Sequence, residues 1–224
     1  MTDEYAAARQ RLLSEIDSDV RDTARWLGAD RLDPAVRDAM AHVPRHEFVP
    51  RWEQPYSYEN RPLSIGQGQT ISQPYIVAAM TQMLRPRPDM RVLEIGTGCG
   101  YQAAVLAECM ADVWTVERIP ELAEAAAARL KRLGYANVHV KTADGALGWP
   151  EHAPYDGILV TAAASEIPVA LVDQLDQGGR MVIPVGVGRY EQVLTLVSRN
   201  EDGEVSEERG LPVAFVPLIT AKKP

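Results

Sequence analysis

The chain has 224 residues, of which 46% are hydrophobic and 24% charged, as in an ordinary globular protein long enough to bury one large core. The formal net charge is −8 and Lys and Arg do not cluster along the sequence, which argues against nucleic acid as the main partner because phosphate binding depends on such clusters. The sequence shows no 18-residue apolar run, no N-terminal signal pattern, no well-placed cysteine pair and no metal-ligand spacing, so we expect a cytoplasmic protein with no membrane association, no disulfide and no metal.

The N-terminal part of the chain is predicted to form helices and loops. Apolar residues at helical spacing predict one amphipathic helix over 4–28, and a second helix, over 35–42, has proline just before it. We expect the aromatic and polar stretch 51–71 to be an irregular loop and 74–84 to be a helix. Residues 1–50 are therefore interpreted as an N-terminal helical segment, and 51–89 as the loop and helix that carry the substrate site.

From residue 90 onward, strand and helix patterns alternate. Predicted strands cover 91–95, 112–116, 138–142, 155–161 and 179–185, with helices over 101–109, 120–133 and 168–175. Two more predicted strands, 192–199 and 214–219, flank an Asp-Gly turn signal and are expected to pair antiparallel. We therefore expect one α/β domain over 1–224. Its core, 90–224, is predicted to be a doubly wound, Rossmann-like sheet ending in an antiparallel pair.

The most informative segment is 92–101, Val-Leu-Glu-Ile-Gly-Thr-Gly-Cys-Gly-Tyr. A buried strand there ends at alternate glycines and a helix follows, an order that brings backbone close to a nucleotide-like ligand. Tyr101 occupies the third glycine position of the dinucleotide fingerprint, and Glu94 stands two residues before Gly96. A carboxylate beside the turn suits a cationic ligand without phosphate, so S-adenosylmethionine is favoured over a dinucleotide. A tight turn that binds nothing is the remaining alternative.

Acidic residues also follow the next two predicted strands. Glu117 ends strand 112–116, where its carboxylate is placed to accept both hydroxyls of a ribose. Asp144 and Gly145 follow strand 138–142 and are able to offer a carboxylate and a backbone N–H to an adenine edge. An ordinary Asp-Gly turn is the alternative for that pair.

Residues 62–74 supply hydroxyl and amide groups without formal charge. Ser72 lies two residues before Pro74, which is expected in the first turn of a helix, so Ser72 is at or near the N-cap. Backbone N–H groups and a hydroxyl at that place are able to hold a carboxylate. From the residues alone, a capping role for Ser72 is as well supported as a catalytic one.

With this segment, the sequence closely resembles protein-L-isoaspartate O-methyltransferases over nearly its whole length. The matching segments are 43–50, 65–74, 92–101, 155–158, 178–186 and 215–218. Many methyltransferases share the glycine turn. The run Gly-Gln-Thr-Ile-Ser-Gln-Pro is far more restricted and decides the resemblance.

The resemblance implies a class I S-adenosylmethionine-dependent enzyme that releases S-adenosylhomocysteine, with Ser72 as its catalytic residue. It implies substrate binding by Gln69, Thr70, Ile71 and Ser72, and cofactor binding by Gln69, Thr70, Ser72, Glu94, Gly96, Thr97, Gly98, Glu117, Arg118, Asp144 and Gly145. Two departures concern the substrate carboxylate: Ala214 stands where some members have arginine, and Val77 where some have histidine.

The implied substrates are isoaspartyl-containing proteins and peptides, methylated by a monomer. Three other interpretations stay open from the sequence. They are a relative that esterifies a normal aspartate in one dedicated peptide, a methyltransferase of nucleic acids or small molecules, and a domain that binds the cofactor without catalysis.

Overall fold

The structure, a computed structural model, describes residues 4–188 and 191–219. Helices within these residues are α1 (Ala6–Asp22), α2 (Ala24–Leu27), α3 (Pro34–His42), α4 (Pro74–Met83), α5 (Tyr101–Cys109), α6 (Pro120–Leu133) and α7 (Val169–Asp173). The strands are β1 (Leu63–Gly66), β2 (Gln69–Ile71), β3 (Arg91–Ile95), β4 (Asp112–Glu117), β5 (Val138–Thr142), β6 (Tyr155–Val160), β7 (Leu175–Val185), β8 (Gln192–Arg199) and β9 (Val205–Val213). In this part of the chain no helix is long and apolar enough to cross a bilayer.

A seven-stranded sheet in the order β5-β4-β3-β6-β7-β8-β9 forms the centre of the fold. The strands from β5 to β7 pair in parallel, and β8 and β9 pair antiparallel. The predicted doubly wound sheet with an antiparallel C-terminal pair is therefore confirmed. The strand order reverses between β3 and β6, and ligands of open α/β sheets bind beyond the carboxyl ends of the strands at such a point.

Two hydrophobic clusters cover the two faces of this sheet. Val92 belongs to one cluster and Leu93 to the other, because successive side chains on a strand point to opposite faces. The N-terminal helices lie on the Val92 side, where Leu13 and Ile16 of α1 are buried. α1 contacts α3 and α4, so the N-terminal segment helps to fix α4, the helix that follows Ser72.

The prediction of one continuous helix over 4–28 is wrong, because the chain breaks at Thr23. The Thr23 hydroxyl donates to the carbonyl oxygen of Asp19 at 2.6 Å and also bonds to the Tyr75 hydroxyl. A threonine that bonds to the preceding turn competes with the helical pattern. The short helix α2 then ends at Gly28, whose φ is +68°.

The prediction of an irregular loop over 51–71 is wrong for its last part, where β1 and β2 form a hairpin. Its two central turn residues, Gln67 and Gly68, both have positive φ, at +52° and +68°. This is the conformation of a tight two-residue hairpin turn. Gly68 suits the second turn position, but glutamine rarely adopts this conformation at the first, so the turn signal in the sequence is weak.

The predicted strand over 214–219 is also wrong, since the partner of β8 is β9, at Val205–Val213. A tight turn at 200–203 connects β8 directly to β9, so the two strands pair from Arg199 and Val205 onward. The first five residues of β9 are exposed and four of them are polar, as expected of an edge strand, so the apolar signal is missing. Residues 214–219 instead cross the end of the sheet, with the N–H of Leu218 donating to the carbonyl oxygen of Ala163 at 2.7 Å.

Candidate active site

A cleft of about 650 Å³, here called the main cleft, lies beyond the carboxyl ends of β3, β4 and β6. The crossing segment 216–219 forms one wall. The predicted site residues that line the cleft are Gln69, Thr70, Gly96, Gly98, Glu117, Arg118 and Gly145.

The glycine turn lines the main cleft with backbone atoms. At Gly96 only glycine fits, because the side chain of Thr161 occupies the space that a Cβ would need. Gly96 has φ +97°, and a Cβ at this position would collide with Oγ1 of Thr161. That hydroxyl is 2.7 Å from the carbonyl oxygen of Gly96 and 3.0 Å from that of Ile95, to which it donates. Thr161, just after β6, is therefore a residue of the site, whereas the sequence pattern marks it only as the end of a strand.

Glu117 connects the glycine turn to the end of β4. Its Oε2 accepts from the backbone N–H of Gly98 at 2.8 Å, and its Oε1 accepts from that of Ile119 at 2.9 Å. The residue is 7% exposed and lines the main cleft. Each carboxylate oxygen can accept more than one hydrogen bond, so both keep capacity for a ligand hydroxyl. Arg118 beside it is exposed.

Glu94 lies beneath the glycine turn, fully buried, and does not form a wall of the main cleft. Thr115 donates to its Oε2, and the hydroxyls of Thr97 and Thr115 are 2.7 Å apart. Its Oε1 is buried and has no hydrogen-bond partner among residues 4–188 and 191–219. Burial raises the pKa of Glu94 to about 8, against the opposing hydrogen bond from Thr115. A buried acceptor thus stands without a donor next to the turn.

Asp144 and Gly145 have different local roles. Oδ1 of Asp144 accepts from the N–H of Ala146 at 3.0 Å and caps the short 3₁₀ turn Gly145–Leu147. A Cβ on Gly145 would lie 2.5 Å from Cγ2 of Ile95, so only glycine allows this close approach to β3. Gly145 lines the main cleft, and the turn role considered for Asp144 is present in the structure. Their contact with an adenine stays a prediction.

Two further cavities adjoin the main cleft at Thr70 and Thr161, which line all three spaces. The inner cavity, about 330 Å³, lies between the Ser72 segment and the glycine turn, and Ile71 and Thr97 line it. The outer cavity, about 1060 Å³, lies between the start of α4 and residues 212–216. Ser72 lines both, so it stands where the route from outside reaches the glycine turn.

The hydroxyl of Ser72 is not used to cap α4. The N-cap of this helix is Gln73, without a side-chain capping bond, and Ser72 precedes it. Within the part of the chain that the structure describes, the Ser72 hydroxyl has no hydrogen-bond partner. The capping interpretation is therefore wrong, and the hydroxyl is available to a ligand.

The backbone of Ser72 is held by Arg45, which lies in the matching segment 43–50 but is not among the predicted site residues. The guanidinium is fully buried; Nη2 donates to the carbonyl oxygen of Ser72 at 2.8 Å, and Nε to that of Ser57 at 2.9 Å. It also lies over the ring of Tyr101, 4.7 Å from the centroid. Burial lowers the pKa of Arg45, and the neighbouring Tyr101 opposes this shift. The Arg45 guanidinium thus contacts three separate segments of the chain, those of Ser57, Ser72 and Tyr101.

The outer cavity has no charged side chain among the described residues that line it. Ala214 lies on its wall, where an arginine would have supplied a cation. Val77 is 1% exposed and lines the inner cavity. Polar groups are nevertheless present on the outer wall, from Thr70, Ser72, Gln73 and Thr161. An anion entering here meets hydroxyl and amide groups rather than a formal positive charge.

The family model of the protein-L-isoaspartate(D-aspartate) O-methyltransferases (PCMT) matches residues 26–223. The chain belongs to this family. Among its relatives, protein-L-isoaspartate O-methyltransferase 2 of Syntrophobacter fumaroxidans is 58% identical over 216 residues, which are 96% of this chain and 87% of the relative. Protein-L-isoaspartate O-methyltransferase 2 of a Polaromonas species is 56% identical over 207 residues, 92% of this chain and 98% of the relative.

Solved structures agree with this membership. A protein-L-isoaspartate O-methyltransferase matches 93% of this chain at 30% identity with a TM-score of 0.80, and the match spans 65% of that protein's length. A Plasmodium falciparum protein named for the same activity, crystallised with S-adenosyl-L-homocysteine, has the same fold at 24% identity, with a TM-score of 0.77 over 97% of this chain and 99% of its own. The family, fold and enzyme class predicted from the sequence are confirmed.

Proposed function

We propose that this family member transfers a methyl group from S-adenosylmethionine to the free α-carboxylate of L-isoaspartyl residues in damaged proteins and peptides. The observation that carries the proposal is the position of Ser72. Its hydroxyl has no partner among the described residues and stands between the uncharged outer cavity and the glycine turn. Family membership and the names of the relatives support the same reaction.

The residues of the main cleft fit S-adenosylmethionine. Glu117 has acceptor capacity for the ribose hydroxyls, and Gly96 and Gly145 leave room that a Cβ would fill. Contact of Glu94 with the ammonium end of the ligand stays a prediction, because its buried Oε1 lies beneath the glycine turn and not on the wall of the main cleft. When bound, S-adenosylmethionine supplies an electrophilic methyl group on a cationic sulfur, and S-adenosylhomocysteine is the product that leaves.

The substrate carboxylate needs orientation rather than activation. An α-carboxyl group has a pKa of about 3.3–3.7, so it is ionised at neutral pH and nucleophilic without a general base. The outer cavity agrees with this requirement, because its described wall offers hydroxyls and amides and no histidine or carboxylate. Ser72 and Thr70 hold the carboxylate oxygens by donating hydrogen bonds. Orientation of this kind contributes several kcal/mol to lowering the barrier.

Apolar groups around these donors limit access of water. Ile76, Val213 and Phe215 line the outer cavity beside Ser72. A carboxylate that loses part of its hydration there interacts more strongly with the remaining donors. The methyl ester then loses methanol as the neighbouring amide nitrogen attacks it, which gives a succinimide. Hydrolysis of the succinimide returns part of the material to normal aspartate, so repeated cycles repair the damaged site.

Three finer predictions rest on the sequence and on the family resemblance alone. They are a cytoplasmic location, a monomeric state and independence from metal ions.

Substitution of Ser72 by alanine tests the assignment. We expect Ser72→Ala to lower kcat at least tenfold, about 1.4 kcal/mol in the barrier, with little change in the affinity for S-adenosylhomocysteine. Ser64→Ala is the matched control, since Ser64 is an exposed serine of the adjacent strand β1. Equal kcat values in the two variants would mean that the Ser72 hydroxyl takes no part in the reaction.

A further inference from the structure

A second pocket, about 720 Å³, lies between α2, the end of α4 and the strands β7 to β9. It is here called the arginine pocket, because four arginines line it together with one carboxylate, that of Glu208; they are Arg25, Arg85, Arg180 and Arg209. None of their guanidinium groups has an ion pair or a hydrogen bond within residues 4–188 and 191–219. The chain as a whole carries a formal charge of −8, so this local excess of positive charge is unusual.

Arg180 of β7 is the least exposed of the four arginines that line the pocket. Its Nε is buried and has no partner among the described residues. Burial lowers the pKa of Arg180, the charge of Arg85 lowers it further, and Glu208 opposes the shift. Four arginines face one carboxylate here, an excess of like charge that is unfavourable, and an anion between them would reduce that cost.

Arg85 occupies a backbone position that favours glycine. It follows the C-cap of α4 and has φ +55°, a left-handed conformation that is unfavourable for most L-residues. Its side chain is exposed and lines the pocket. Glycine would satisfy the turn at lower cost, so the arginine adds charge to the pocket at the expense of backbone conformation.

We propose that the arginine pocket binds a compact multivalent oxyanion, the phosphate chain of a di- or triphosphate. Guanidinium groups bind phosphate oxygens in a bidentate manner, and several of them lining one pocket match several adjacent phosphates. Carboxylates on one face of an extended peptide are spaced about 6.6–6.8 Å apart, which suits a long groove better than a single pocket. Leu27, Met83 and Leu196 contribute apolar surface to the lining.

The arginine pocket is separate from the methyl-transfer site. It shares no lining residue with the main cleft or with the inner and outer cavities. α4 connects the two regions, with Ile76 at the outer cavity and Gln82 at the arginine pocket. The four arginines are distant in the sequence and converge only in the fold, which is why the sequence shows no basic cluster.

Thermal unfolding of the full chain with sodium tripolyphosphate, at ionic strength matched with sodium chloride, tests the proposal. We expect tripolyphosphate to raise the Tm saturably. Arg85→Gly should shift the rise to at least tenfold higher tripolyphosphate concentration while leaving the Tm without ligand unchanged or higher, because glycine suits φ +55°. Arg180→Gln should have the same effect, whereas Arg11→Gln, on an exposed face of α1, should respond to tripolyphosphate as the wild type does.

Calorimetric titrations identify the source of the phosphate chain. Tripolyphosphate and adenosine triphosphate should both bind the wild type, and each should bind Arg85→Gly at least tenfold more weakly. Weaker binding of adenosine triphosphate than of tripolyphosphate would assign the pocket to a free polyphosphate, and the reverse to a nucleotide. An unchanged affinity in Arg85→Gly, or binding of an oligoglutamate peptide but not of tripolyphosphate, would overturn the proposal.

Discussion

The contact between Gly96 and Thr161 makes a sharp prediction about the glycine turn. In Gly96→Ala the new Cβ would lie less than 3.0 Å from Oγ1 of Thr161, with φ at +97°. Two costs therefore combine, one from the backbone conformation and one from the collision. Gly134→Ala separates them, because Gly134 has φ +90° and nothing within 4 Å of the position that a Cβ would take.

The magnitudes follow from these two environments. Positive φ costs an alanine about 1–2 kcal/mol, and this is the whole expected destabilisation of Gly134→Ala. Overpacking adds about 1–3 kcal/mol, so we expect Gly96→Ala to lower the free energy of unfolding by about 2–5 kcal/mol. Thr161→Ala removes the colliding oxygen at the cost of about 1 kcal/mol for its hydrogen bond. The double variant Gly96→Ala/Thr161→Ala should then be more stable than the sum of the single changes predicts.

Urea unfolding of the four variants measures these free energies, and titration with S-adenosylhomocysteine measures the effect on the site. We expect the collision to weaken binding in Gly96→Ala, with partial recovery in the double variant and no change in Gly134→Ala. Equal destabilisation in Gly96→Ala and Gly134→Ala, or strictly additive effects of Gly96→Ala and Thr161→Ala, would refute the assigned role of Thr161.

Three further variants test other parts of the site. Glu117→Gln should weaken binding of S-adenosylhomocysteine by about 1.5–3 kcal/mol in titration calorimetry, since an amide replaces one acceptor oxygen by a donor. Glu94 holds a proton in the folded state between pH 4.5 and about 8, where the unfolded chain has lost it, so the free energy of unfolding should fall as the pH rises through this window. Glu94→Gln should flatten that dependence in urea unfolding. In Arg45→Lys the ammonium group cannot reproduce the paired hydrogen bonds to the carbonyl oxygens of Ser72 and Ser57. We therefore expect kcat to fall with little change in S-adenosylhomocysteine affinity, and to fall further in Arg45→Gln.

Each of these variants has an outcome that contradicts its premise. Wild-type affinity in Glu117→Gln would mean that this carboxylate supports only the turn. A pH profile of Glu94→Gln parallel to that of the wild type would place the titrating group elsewhere. A loss of stability in Arg45→Lys with kcat unchanged would make Arg45 a structural residue rather than a positioning residue for Ser72.

The central strands could be predicted because their own residues carry the signal. The apolar runs at 91–95 and 112–116 lie in β3 and β4, whose residues are mostly buried, since parallel strands covered on both faces are largely apolar. β9 could not be found in the same way, because an edge strand with exposed polar residues lacks that pattern. The hairpin turn at Gln67 escapes prediction because a glutamine at positive φ gives no turn signal.

The site was predictable where one short segment contains it. The glycine turn, Glu117 and the Ser72 segment each stand at the end of a predicted element and do meet at the main cleft and its neighbouring cavities. Thr161 and Arg45 could not be predicted, because their roles come from contacts with residues distant in the sequence. Glu94 lies beneath the turn, because its strand directs the side chain into the sheet packing, and its contact with the ligand stays a prediction.

Methyl transfer to twin peptides tests the proposed function most directly. Labelled S-adenosylmethionine is supplied with two peptides of one sequence that differ only in aspartate or isoaspartate at one position. We expect label on the isoaspartyl peptide alone, as an ester that is lost with formation of succinimide. Label on the aspartyl peptide, or on neither, would contradict the proposed substrate.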